Sequence, residues 1–317
     1  MIRLENESPR LSVVVPIYNE QDCIVRLYDA LVEACNSLNL LYEVIFVDDG
    51  SQDDTYPILR RLHQSDQRIR VIRFRKNYGQ TAAMAAGFQY AVGDIIVSMD
   101  GDLQNDPVDI PKLVMKLGEG FDVVCGWRQN RQDKLWTRRV PSMVANWLIG
   151  RITGVRIHDN GCSLKAYRGV VIKKVALYGE MHRFIPAMAT LAGARITEVV
   201  VNHHPRRFGQ SKYGLGRIWR VALDIITVKL ISGFASRPGL WFGIPSFVCF
   251  VLSLVGLLFG SLYTASNVNG WTVVSTIVFL LFLLCGHLFT MGIIGELFIK
   301  TGDYRPQKSL EPTITSV

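Results

Sequence analysis

An α/β fold on a mainly parallel sheet, followed by two membrane-crossing helices, is what this 317-residue sequence predicts. Three observations predict it. Short apolar runs alternate with segments of helical period through residues 11–127. Polar clusters stand at the end of each apolar run. Two long stretches near the C-terminus carry no charge.

The first run, "LSVVVPI" (11–17), reads as a buried strand. The segment after it has apolar residues at 24, 27, 31, 35 and 38, which is helical spacing. "YEVIFVDD" (42–49) is a second strand, "TYPILRRLHQS" a short helix and "IRVIRF" (69–74) a third strand. An Ala-rich helix over 79–92, a strand at "DIIVSMD", a helix over 107–118 and a strand at "FDVVCGW" (121–127) follow. Strands that alternate with helices pair in parallel and are covered on both faces. Ligands of such sheets bind beyond the carboxyl ends of the strands. The clusters "YNE", "DDGSQDDT", "RKNYG", "DGD" and "GWR" all fall there and make one rim. There is no GxGxxG after the first strand and no GxxxxGK[ST] anywhere, which argues against dinucleotide and P-loop enzymes.

Residues 240–263 and 271–295 are uncharged. At about 1.5 Å per residue each is long enough to cross a bilayer core of roughly 30 Å. Their link has no Lys or Arg. Lys229 and Arg237 precede the first span, and Lys300, Arg305 and Lys308 follow the second. The positive-inside rule then predicts a hairpin with both ends, and the large N-terminal part, in the cytoplasm. The polar start "MIRLENESPR" is not a cleavable signal. The net charge of +8 is assigned to an anionic membrane, not to nucleic acid. Six scattered cysteines without CxxC spacing read as reduced thiols. Gly243, Gly256, Gly260, Gly292 and Gly295 would allow close helix contacts, including between copies in a homo-oligomer.

At the rim, Asp100 and Asp102 would project to one side if the chain stays extended. Two carboxylates so placed call for a cation, and Mg²⁺ or Mn²⁺ bridging to phosphate suits them. Gly101 between them permits close approach of a phosphate. Asp106, before Pro107, is a helix cap. Asp53 or Asp54 caps the helix after the second strand. Asp48 and Asp49 are placed to accept hydrogen bonds from a base or ribose. Glu20 could do the same, or serve as a first-turn helix acid.

The blocks "VVVPIYNE", "VIFVDDGSQDDT", "RKNYGQTAAMAAGF", "MDGDLQNDP" and "DNGCSLKAYR" together resemble the inverting family-2 glycosyltransferases of GT-A fold. The likeness spans residues 10–215 and is greatest to the polyprenyl-phosphate branch, that is, dolichol-phosphate mannose synthases and especially bacterial GtrB-type glucosyltransferases. It implies a nucleoside pocket lined by Pro16, Tyr18, Glu20 and Asp49, with Asp48, Lys76 and Asp100 among the sugar-nucleotide contacts. It implies metal ligands Asp100, Asp102 and Gln104, with Asp102 counted as catalytic. Asp159 falls where the family has an acidic residue near sugar and acceptor, either as base or to orient the sugar. Arg206, Ser211 and Lys212 match the family's R-x-x-G-x-S-[KR]-[YF] block and would hold the acceptor phosphate and diphosphate. The same basic residues could instead attract anionic lipid.

The expected reaction moves a hexose from a UDP-sugar to a polyprenyl phosphate, undecaprenyl or dolichyl. Glucose leads, with mannose from GDP, galactose and aminoarabinose-type sugars open. Residues 215–237 read as an amphipathic helix on the bilayer, between a catalytic domain (1–214) and the spans (238–300), with a tail at 301–317. A processive synthase would carry a QxxRW block, and none occurs. A non-catalytic sugar-nucleotide scaffold is the rival of another class, against which the intact DGD, DDGS and DNG blocks stand.

Overall fold

The computed structural model describes residues 9–129, 150–151, 154–155, 157–175, 177, 181–191, 193–205, 238–263 and 268–301. The chain divides into two compact units, one holding a sheet and one holding two long helices.

The first unit runs β1 (Leu11–Ile17), α1 (Ile24–Asn36), β2 (Tyr42–Asp48), α2 (Thr55–Ser65), β3 (Ile69–Arg73), α3 (Gln80–Tyr90) and β4 (Ile95–Ser98). A 3₁₀ turn (Pro107–Asp109), α4 (Ile110–Gly118) and β5 (Val123–Trp127) come next. β6 (Lys165–Arg168), the short α5 (Gly169–Ile172), a 3₁₀ turn (Met181–Arg183), α6 (Ile185–Leu191) and β7 (Ile196–Val200) complete it. Among the described residues the seven strands form one sheet in the order β3-β2-β1-β4-β6-β5-β7. The expected parallel pairs are present: β1 with β2 and β4, and β2 with β3. β6 is inserted antiparallel between β4 and β5, and β7 lies parallel to β5. β6 and β7 lie beyond residues 11–127, the part of the chain in which predicted strands and helices alternate.

Residues on each strand alternate between two apolar cores. Val13, Val15 and Phe46 face Leu27 and Leu31 of α1 and Leu113 of α4 in one. Val14, Ile45 and Val47 join Met84 and Phe88 of α3 in the other. Each such side chain, fully buried, contributes roughly 1.5–3 kcal/mol. Both cores lie along the sheet, so the strand ends are left to polar residues.

The expected helix ends were partly right. Asp106 caps as predicted, its Oδ1 accepting from Val108 N at 3.1 Å with Pro107 next. Asp54 stands at the N-cap of α2 without a side-chain bond, while Asp53 accepts from Thr55 N at 3.0 Å. The alternative of Glu20 as a first-turn acid fails, because α1 begins four residues later at Ile24. A turn intervenes, closed by Cys23 N donating to Glu20 O.

In the second unit, α7 (Pro238–Tyr263) and α8 (Val268–Thr301) each contain a stretch long and apolar enough to cross a membrane, with mean hydropathy 2.3 and 2.5. Only 11% of each stretch is buried. α8 runs past the uncharged stretch to include Glu296, whose Oε2 accepts from Gly239 N and so caps α7. Two of the small residues lie where the two helices meet. A Cβ on Gly256 would lie 2.8 Å from Val278, and one on Gly260 would lie 2.7 Å from Val274. Gly256 and Gly260 thus allow close contact within the hairpin.

Candidate active site

The ends of β1, β2, β4, β5 and β7 bring the rim together. At the β2 end, Asp48 is fully buried. Its Oδ1 accepts from Ser51 N at 2.9 Å, and its Oδ2 lies 3.4 Å from Arg73 Nε. Asp48 therefore shapes the loop from beneath. Asp49 takes the N–H groups of Tyr78 and Gly79 on its two carboxylate oxygens, at 2.7 and 2.9 Å. This ties the β2 end to the segment that starts α3. Gly50 makes the approach possible: its φ is +72°, and a Cβ there would meet Lys76 C at 2.5 Å. Lys76 is exposed, with Nζ 5.1 Å above the Tyr78 ring. At the β1 end, Glu20 N donates to Thr55 Oγ1 and Asn19 N to Ser51 Oγ, so the "YNE" and "DDGS" loops are laced together. Pro16 and Tyr18 are half-buried beside them.

β4 ends at Ser98, and residues 101–103 bend, with Leu103 at φ 58°. The extended run assumed for Asp100 and Asp102 is therefore absent: β4 stops at Ser98 and the chain bends from Gly101 onward. Both carboxylates remain at the strand end, half-buried. Gln80 Nε2 donates to Asp100 Oδ1 at 2.6 Å, and Gln104 N to Asp102 Oδ1 at 3.1 Å. A Cβ on Gly101 would lie 2.2 Å from Ile17 Cδ1, so the bend packs directly on β1.

No group of three or more His, Cys, Asp or Glu suited to a metal occurs among the described residues. Asp100 and Asp102 nevertheless fit a hard cation. Mg²⁺ is usually held by one or two carboxylates plus substrate phosphates and water, not by a full protein cage.

The other half of the rim is built on an ion pair. Arg128 follows β5, and Asp159 precedes β6. Arg128 Nε and Nη2 meet Asp159 Oδ2 and Oδ1 at 2.7 and 2.9 Å in a bidentate fork. The side chains are 12% and 4% exposed, so the pair is largely out of water. Burial works against the guanidinium charge, but the fork with Asp159, aided by Asp100, holds its pKa above the ordinary arginine value. Two of its five N–H donors are engaged there, and the rest suit a phosphate. Arg128 was missed as a site residue, although "GWR" had been placed on the rim. Its partner, 31 residues away, gave no local signal.

Behind Arg128 and Asp159 lie further groups that the sequence did not single out. Glu198 on β7 accepts from His158 N at 2.8 Å and Asp159 N at 3.3 Å. His158 stacks on Trp127 at 4.3 Å between centroids. Lys165 is buried and donates to the carbonyls of Asn160 and Cys162. His182 bonds Thr81 Oγ1 at 2.8 Å. Burial, with Arg183 and Lys165 nearby, pushes His182 down to about 3, so it is neutral at ordinary pH. Burial pushes the Cys125 and Cys162 thiols up to about 12 and about 11, which makes them poor nucleophiles. Arg206, Ser211 and Lys212, and the helix expected over 215–237, lie outside the described residues.

The model of "Glycosyl transferase family 2" matches residues 12–176, more than half of the chain and all of the rim up to β6. The chain belongs to that family. Its relatives carry the match further. It is 42% identical over 301 residues to a dodecaprenyl-phosphate galacturonate synthase of Rhizobium johnstonii, covering 93% of this chain and 89% of that one. It is 39% identical over 294 residues to an undecaprenyl-phosphate 4-deoxy-4-formamido-L-arabinose transferase of Edwardsiella ictaluri, covering 90% and 87%. These relatives are polyprenyl-phosphate sugar enzymes, the branch that the sequence blocks resemble. Among solved structures, glucosyl-3-phosphoglycerate synthase of Mycobacterium tuberculosis, in complex with Mn²⁺, UDP and phosphoglyceric acid, matches with a TM-score of 0.55. It is 22% identical and covers 71% of this chain and 78% of that one, a likeness that establishes the GT-A-like fold of the sheet and its helices.

Proposed function

We propose that this glycosyltransferase moves a sugar from a UDP-sugar to a polyprenyl phosphate, inverting the anomeric carbon. The observation that carries the reading is the division of the rim. Two carboxylates stand together at the β4 end, and a buried arginine with spare donors, within electrostatic reach of Asp100, stands nearby. An enzyme that joins a phosphate to a sugar diphosphate must hold two anions near each other, and each half suits one.

In this reading Asp100 and Asp102, with Gln104, hold Mg²⁺ or Mn²⁺ against the donor diphosphate. When bound, the metal neutralises charge on the departing UDP. Glu20 and Asp49 line the nucleoside side with Pro16, Tyr18 and Lys76. Asp48 supports the loop from below. Arg128 takes the acceptor phosphate, joined by Arg206, Ser211 and Lys212. The second pKa of a phosphate monoester is near 6, so the acceptor is largely a dianion at neutral pH. One phosphate oxygen attacks C1. The C1–O bond to UDP breaks, and its electron pair leaves on the β-phosphate oxygen. No proton has to be removed, so Asp159 holds Arg128 and is not a base.

The 42%-identical relative makes galacturonate the first sugar to test, ahead of the glucose that the GtrB-type likeness suggests, with aminoarabinose-type sugars next. The basic flanks of the hairpin support a two-span membrane protein with its catalytic unit in the cytoplasm. The test uses purified enzyme, a panel of UDP- and GDP-sugars, undecaprenyl phosphate and Mg²⁺ or Mn²⁺. UDP release that requires the lipid phosphate, with a glycolipid of matching mass, is expected. UDP release unaffected by lipid phosphate, or donor binding with no turnover, would overturn the proposal.

A further inference from the structure

We infer that Glu198 and Lys165 are positioning residues that aim Arg128 by fixing the loop 158–162 from opposite sides. This rests on the reading of Arg128 as the acceptor-phosphate residue. The two side chains come from different strands, β7 and β6, and meet the same five-residue loop.

Glu198 reads the amides of the loop. Its Oε1 accepts from His158 N at 2.8 Å and from Asp159 N at 3.3 Å. Its Oε2 lies 2.7 Å from His158 Nδ1. That ring is held a second time by Trp127, whose plane lies 17° from it. Lys165 reads the carbonyls. It is 2% exposed, and its Nζ donates to Asn160 O at 3.2 Å and to Cys162 O. A carboxylate takes the N–H groups at the front of the loop and an ammonium takes the C=O groups at the back. Between them stands Asp159, whose carboxylate carries the fork to Arg128.

Withdrawing an ammonium and a carboxylate from water is costly. A loop that only had to turn could close on its own backbone and a glycine. These charges instead restrain the one stretch that carries Asp159. The fork uses Arg128 Nε and one Nη2 hydrogen, so the direction of the remaining donors follows from where Asp159 sits. The chain of contacts therefore runs from Glu198 and Lys165 through the loop to Asp159 and on to Arg128. Neither positioning residue needs to touch a substrate.

The test is a mutant cycle on the full-length enzyme, with the KM for acceptor and for donor measured separately. Glu198→Ala is expected to raise acceptor KM about tenfold with donor KM within about twofold. Added to Asp159→Ala, it is expected to change acceptor KM by less than about twofold, because its route to Arg128 is already cut. An effect that stays multiplicative in the Asp159→Ala background, or equal rises in both KM values, overturns the inference. Should Glu198→Ala fail to fold, Glu198→Gln carries the same test. Its amide oxygen still accepts from the backbone, and a smaller rise of about threefold is expected, again absent from the Asp159→Ala background. Arg128→Ala in the same assay separates the two levels. If it leaves acceptor KM unchanged, the acceptor reading itself falls. If it raises acceptor KM while Glu198 acts independently, only the positioning role falls.

Discussion

The two halves of the rim hold their carboxylates in different ways. In the β1–β4 half backbone amides donate to them, Tyr78 and Gly79 to Asp49, Gln104 to Asp102 and Ser51 to Asp48, and Arg73 also lies 3.4 Å from Asp48. In the β5–β7 half they are matched to side-chain groups that carry or can carry positive charge: Asp159 to Arg128, and Glu198 to His158. An amide orients a carboxylate without cancelling its charge. A guanidinium cancels the carboxylate and still has donors to spare, so the second half suits an anion. Under the proposed function the two halves would each serve one of two phosphorylated substrates.

The most severe way to break the contrast is to remove charge from the first half. Asp102→Asn is expected to lower kcat by about 10²–10³-fold in single-turnover assays at saturating Mg²⁺, the size of loss seen when a group facing developing charge is deleted. Asp159→Asn is expected to cost less, about tenfold, since the amide oxygen keeps one bond to Arg128. Equal losses from the two would mean that the halves are not distinct.

The smallest effect concerns stability and tests whether the core beneath the rim is dry. His182 has a folded-state pKa of about 3, below its unfolded value near 6.5. Between those limits the unfolded chain binds the extra proton, so stability falls as pH drops below about 6.5, by at most about tenfold in the folding equilibrium per unit. Thermal unfolding of wild type and His182→Gln between pH 7.5 and 5, an interval chosen to bracket that value, is expected to show a steeper loss in wild type. Parallel curves would place water at His182.

Local pattern and strand-end logic carried the first half of the sheet. β1 to β5, the caps at Asp106 and Asp53, and both long helices were legible because each depends on neighbours in sequence. The second half was not. β6 enters antiparallel, and β7 pairs with β5 across about seventy residues, which no periodicity records. Arg128 and Glu198 were hidden because their partners lie 31 and 40 residues away, whereas Lys165 bonds carbonyls only five and three residues before it, and no spacing pattern marked it. Asp100 and Asp102 were found for a reason that the structure revises. They flank a bend that packs on Ile17, not an extended run.

The central claim is that Arg128 serves the acceptor while Asp100 and Asp102 serve the donor. Steady-state kinetics of Arg128→Ala, varying polyprenyl phosphate and UDP-sugar in turn, test it most directly. Loss of a charge-assisted bond of roughly 1.5–3 kcal/mol predicts a rise in acceptor KM of about ten- to a hundredfold, with donor KM within about twofold. A rise in donor KM with acceptor KM unchanged would contradict the account.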